Sequence, residues 1–76
     1  MSNKIPVLKG KEVVRALEKA GFVVKRTTGS HVILKNNSTS KIAIVPTHGS
    51  KDIKRGTMFS IIRQTGLSIE AFIELI

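Results

Sequence analysis

Between Phe22 and Pro46 the chain is a succession of three short β-favouring runs joined by a few polar residues, and this leaves few architectures open. Phe22 to Thr27 is rich in Val and Thr, Ser30 to Asn36 alternates, and Lys41 to Pro46 reads Lys-Ile-Ala-Ile-Val-Pro. Thr28-Gly29 is short enough for a tight hairpin in which glycine takes a positive φ without steric cost. Asn36 to Ser40 lacks the Asn-Gly pair of a tight turn and reads as a looser polar one. Connections this short predict an antiparallel meander with the second strand in the centre.

Helical spacing flanks the meander on both sides. From Lys9 to Ala20 the residues Val13, Val14, Leu17 and Ala20 recur on one face, opposite Lys11, Glu12, Arg15, Glu18 and Lys19. Gly21 supplies the left-handed stop. After the strands, Thr57 reads as an N-cap before Met58, Phe59, Ile61 and Ile62, and Gly66 as the stop. Ser68 then caps a last helix whose Ile69, Phe72, Ile73 and Ile76 form an apolar stripe that must bury itself. The predicted fold is therefore α+β: two layers, a three-stranded antiparallel sheet with helices on one face, in the order α-β-β-β-α with the final α broken at Gly66-Leu67. The other face of the sheet is left for a partner. A chain of 76 residues without repeats or linkers holds one core, so a single domain is expected over 1–76, with 1–7 a flexible N-terminal segment.

Charge points to the class of that partner. Thirteen Lys and Arg against five Asp and Glu leave a net charge of +8, which suits a polyanion. From Lys19 to Lys51 there are six basic residues and no acid, whereas Glu12, Glu18, Asp52, Glu70 and Glu74 all lie outside that window. A solvated soluble face explains the same numbers as well. The absence of cysteine excludes disulfides and thiolate metal sites. The N-terminus lacks the apolar core of a signal peptide, and no run is long enough to span a bilayer, so the expected location is the cytoplasm, away from membranes.

The residue types narrow the chemistry further. The acids are not grouped as a metal-dependent nuclease requires, and His31 and His48 cannot complete a zinc site, so neither metal nor cofactor is expected. No Gly-x-Ser-x-Gly elbow and no phosphate-binding glycine loop occurs. The only aromatics, Phe22, Phe59 and Phe72, fall on apolar positions and read as core, which shifts expected RNA contacts from base stacking to phosphates and 2′-hydroxyls.

RNA carries its own nucleophile, the 2′-OH, so one histidine with nearby cations can suffice to move protons and stabilise charge. Strand alternation puts His31, Ile33 and Lys35 on one face and Val32 and Leu34 on the other. Gly29 and Ser30 stand just before, where a backbone N–H and a hydroxyl can meet a phosphate oxygen. Spacing alone favours a surface histidine over a catalyst at His31, and does so more strongly at His48.

A wider pattern bears on that choice. The order Leu17-Glu18-Lys19-Ala20-Gly21-Phe22, Gly29-Ser30-His31, Val45-Pro46-Thr47-His48, Gly56-Thr57, Ile61-Ile62-Arg63-Gln64 and Gly66-Leu67-Ser68 resembles the HicA toxins, the YcfA-like mRNA interferases. The likeness runs through nearly the whole chain from Leu8 onward. It implies a double-stranded-RNA-binding-like fold and a metal-independent endoribonuclease acting on messenger RNA. The family's Gly-Ser-His motif maps its catalytic histidine onto His31, with Lys25, Arg26, Gly29, Ser30 and Lys35 placed to hold the RNA. The second proton-transfer group stays open among His48, Lys35 and water. The resemblance also implies an acidic HicB-type antitoxin that covers the histidine, with operator DNA bound only through that antitoxin. One departure is Arg55, where similar proteins often carry proline before the glycine. Two readings compete with the toxin: a non-catalytic RNA-binding module, and a protein-interaction domain that docks an acidic partner.

Overall fold

The computed structural model describes residues 5–76. The elements are α1 (Gly10–Lys19), β1 (Phe22–Thr28), β2 (His31–Asn36), β3 (Ile42–Pro46), α2 (Arg55–Thr65) and α3 (Ile69–Glu74). The strands form one antiparallel sheet in the order β1-β2-β3, as expected from the short connections. One sheet face packs on the helices, and the core gathers Leu34 and Val45 from the sheet with Val13, Leu17, Met58, Ile61 and Phe72.

The first helix starts one residue later than the periodicity suggests. Lys9 is its N-cap, and the Lys9 N–H donates to Glu12 Oε1 at 2.8 Å. A lysine side chain offers no acceptor, so only this half of a capping box forms. The buried stripe is Gly10, Val13, Ala16 and Leu17, which leaves Val14 and Ala20 half-buried at its margin. Gly10 is buried because α1 begins against the end of β3. A Cβ there would collide with the Pro46 carbonyl and stand 2.9 Å from Thr47 Cα. Gly21 ends the helix as expected, at φ 97°, with its N–H donating to the Glu18 carbonyl at 3.1 Å.

The β1–β2 connection is Gly29-Ser30, closed by the pair Thr28 and His31. Gly29 does not take the positive φ expected of it, since the left-handed glycines are Gly21, Gly49 and Gly66. The turn is thus not of the primed hairpin kind. The register shifts between Val24 and Arg26, leaving Lys25 as the extra residue of a bulge. Between β2 and β3, Asn36 organises the looser turn: its Oδ1 accepts from the N–H groups of Ser38 (2.9 Å) and Thr39 (3.2 Å). Ser40 bears the positive φ there, 63°. On the outer side of β3, the Ile44 N–H donates to Gln64 Oε1 of α2 at 3.0 Å.

The second helix corrects another expectation. It begins at Arg55 after an extended Lys54, so Thr57 is inside the first turn and not its cap. The Lys54 side chain makes no capping bond, and no acid stands in that turn. Gly66 stops α2 at φ 77°, and Ser68 Oγ caps α3 by accepting from the Ala71 N–H at 3.0 Å, both as expected. The stripe on α3 is only partly buried: Phe72 is inside, Ile69 and Ile73 are half-buried, and Ile76 is exposed. Of the phenylalanines, Phe22 and Phe72 are core, while Phe59 is half-buried with the Arg55 guanidinium 5.1 Å from its ring centre.

Residues 1–4 of the segment expected to be flexible lie outside the described residues; Ile5 and Leu8 pack into the core. The Leu8 carbonyl accepts from the Ile53 N–H at 2.8 Å, and Lys9 bridges to Asp52, with Nζ to Oδ1 at 3.1 Å. Both charged groups are half-exposed, so the ion pair itself adds little. The backbone bond anchors the loop between β3 and α2.

Candidate RNA-facing site

Residues paired across antiparallel strands share a face, so the register defines the open side of the sheet. His31 pairs with Thr28 and Pro46, Ile33 with Arg26 and Ile44, and Lys35 with Val23 and Ile42. Lys25, the bulge residue, stands beside Arg26 and is exposed. The predicted alternation holds: Val32 and Leu34 are buried, while His31 is exposed and Ile33 and Lys35 are half-buried. No strand residue is an acid, and four of the five acids lie on α1 and α3. The open face is therefore basic with apolar side chains among the cations, Ile44 in the middle row and Val23 and Ile42 in the Lys35 row, each between 44% and 49% exposed.

His31 opens β2 at one end of this face. Its Nδ1 lies 3.3 Å from Ser30 Oγ, and the Ser30 carbonyl accepts from the Thr47 N–H at 2.8 Å. Gly29 is exposed, with nothing within 4 Å of where a Cβ would be. The turn is thus open at Gly29, two residues before His31.

The proposed contacts do not all converge. Ser30 and Gly29 adjoin His31, and Lys25 with Arg26 come to the level of Ile33. Lys35 stands four residues along the strand, about 13 Å away at the rise of a β-strand. It can hold an RNA backbone some way from the histidine, but not the phosphate at it. Of the open candidates for a second proton-transfer group, Lys35 is thereby remote.

His48 comes to the same end of the sheet, since it follows Pro46, the cross-strand partner of His31, by two residues. It is exposed and lines a shallow depression of about 260 Å³ together with Pro46, Lys51, Lys54 and Thr57. Asp52 also lines it, engaged by Lys9. The sequence reading missed Lys51 and Lys54 as neighbours of this end, because their position depends on how the loop folds back onto Leu8 and Lys9. Among the described residues no group of three His, Asp or Glu side chains is close enough to hold a metal ion. Nor is any described helix long and apolar enough to cross a membrane.

The profile of the family described as the HicA toxin of bacterial toxin–antitoxin systems matches residues 10–67, well over half the chain. That span holds all three strands, the turn at His31 and α2. No curated protein matches the chain.

Proposed function

Because this chain belongs to the HicA toxin family of bacterial toxin–antitoxin systems, we propose that it is a metal-independent endoribonuclease that cuts messenger RNA in the cytoplasm, using His31 for proton transfer. The observation carrying the proposal is the exposed His31 at the end of an acid-free, basic sheet face, with open space at Gly29 beside it. A scissile phosphate lying over the Gly29-Ser30 turn has the imidazole within reach of the neighbouring 2′-OH.

In such a site the 2′-oxygen attacks phosphorus and the bond from phosphorus to the 5′-oxygen breaks, giving a cyclic 2′,3′-phosphate and a free 5′-hydroxyl. The 2′-OH proton passes to the imidazole, and a second group supplies a proton to the leaving 5′-oxygen. His48 or a water fills that second place. The Gly29 N–H and the Ser30 hydroxyl meet the phosphate oxygens, and Lys25 and Arg26 neutralise the flanking backbone. Lys35 holds the strand further along.

The test is cleavage of RNA in the presence of a chelator. The parent protein is expected to cut, and His31→Ala to bind RNA with nearly the same affinity but not cut it. A His31→Ala protein that cuts as fast as the parent refutes the mechanism.

The toxin's partner in this reading is an acidic HicB-type antitoxin seated over the His31 end of the open face, with operator DNA reached only through it. Seated there, it would reach along the sheet past Ile44 to the half-exposed Val23 and Ile42 in the Lys35 row, and apolar side chains in the midst of cations suit a folded partner better than a phosphate backbone does.

A further inference from the structure

A histidine that takes a proton through one ring nitrogen must have the other nitrogen held, and a carboxylate or a carbonyl usually does this. Neither is bonded to His31: the strands contain no acid, and among the described residues Ser30 Oγ is the only partner of the ring. The serine is well fixed for the task. It is half-buried in a two-residue turn, and its carbonyl is tied to the Thr47 N–H just beyond the last pair of the β2–β3 ladder.

We propose that Ser30 is the positioning residue for His31: its Oγ accepts a hydrogen bond from Nδ1–H and so holds the neutral ring in the tautomer that leaves Nε2 unprotonated. This rests on the reading of His31 as the proton acceptor. The opposite arrangement, with the hydroxyl donating to Nδ1, would place the proton on Nε2 and leave it nothing to accept with. A hydroxyl has two lone pairs and one proton. Ser30 can therefore accept from the ring while donating its own O–H to a phosphate oxygen, coupling the seating of the phosphate to the orientation of the base. No proton needs to leave the serine for this role.

The ring can be read directly in the RNA-free protein. Long-range proton–nitrogen NMR of ¹⁵N-histidine-labelled protein, in buffer alkaline enough for neutral imidazole, distinguishes the two tautomers, and His48 serves as internal reference. The parent is expected to show His31 mainly as Nδ1–H. Ser30→Ala should shift it toward Nε2–H, the form favoured by a free side chain, and lower kcat for RNA cleavage roughly five- to tenfold, the scale of one lost hydrogen bond. Ser30→Thr keeps the hydroxyl and should restore both. An unchanged ring pattern in Ser30→Ala overturns the proposal, even if RNA affinity falls. If the pattern shifts but His31→Ala still cuts like the parent, the hydrogen bond stands and the catalytic reading falls, taking the positioning role with it.

Discussion

Gly10→Ala sets helix propensity against packing, and the structure decides between them. By propensity alone the change should stabilise α1, by up to about 1 kcal/mol. The new methyl would overlap the Pro46 carbonyl oxygen and lie 2.9 Å from both Thr47 Cα and Thr47 Cγ2. Two of these three atoms are backbone, so no rotamer change relieves the contact, and the start of α1 must part from the end of β3 by about an ångström to regain ordinary contact. Overlap with backbone belongs to the upper part of what overpacking costs, about 2–3 kcal/mol, so against a propensity gain of about 1 kcal/mol it leaves a net loss of about 1–2 kcal/mol. For a domain this small that is a fall in Tm of roughly 5–15 °C. Gly56→Ala is the control, since Gly56 is within α2 and nothing lies within 4 Å of a Cβ there. It should raise Tm. Thermal melts followed by circular dichroism measure both, and a Gly10→Ala protein as stable as the parent would refute the packing argument. Because Pro46 faces His31 across the β2–β3 pair, the same substitution should slow RNA cleavage at temperatures where the variant remains folded.

Two further outcomes follow from the core and the open face. Leu34→Ala, at a fully buried position on the central strand, should cost about 2–5 kcal/mol in urea unfolding, and a loss below 1 kcal/mol would mean the sheet does not pack on the helices as described. RNA affinity should fall linearly with the logarithm of salt concentration, and Lys25→Ala or Arg26→Ala should each make that slope shallower by about one phosphate contact, measured by fluorescence anisotropy. An unaltered slope in both variants would remove the bulge from the RNA-binding surface.

The strands and the stops were legible because each depends on local chemistry. Alternation around Val32 and Leu34 marks the buried face, Gly21 and Gly66 accept left-handed backbone, and Ser68 carries an oxygen to cap a helix. The start of α2 was misplaced for the same reason: Thr57 is the nearest good capping side chain, yet the helix starts at Arg55 behind a lysine that makes no side-chain cap. Nothing local marks Gly10 as a contact with Pro46 or Ala16 as more buried than Ala20, since both depend on how α1 lies across the sheet. The site divides in the same way. Alternation alone put His31 and Lys35 on one face, but the bulge at Lys25, the approach of the His48 loop and the bond from Ser30 to the ring follow from register and turn geometry.

The bulge at Lys25 also governs what β1 can do at its outer edge. A straight strand with unpaired amides invites another chain to add itself, and β1 is an edge strand of the sheet. Here the extra residue bends the strand and sets Lys25 and Arg26 side by side, so an incoming strand finds broken spacing and two positive charges where it needs a regular ladder. On the far side of the sheet, Gln64 already occupies the Ile44 amide. Both margins of the sheet are thus poorly suited to extension by another strand.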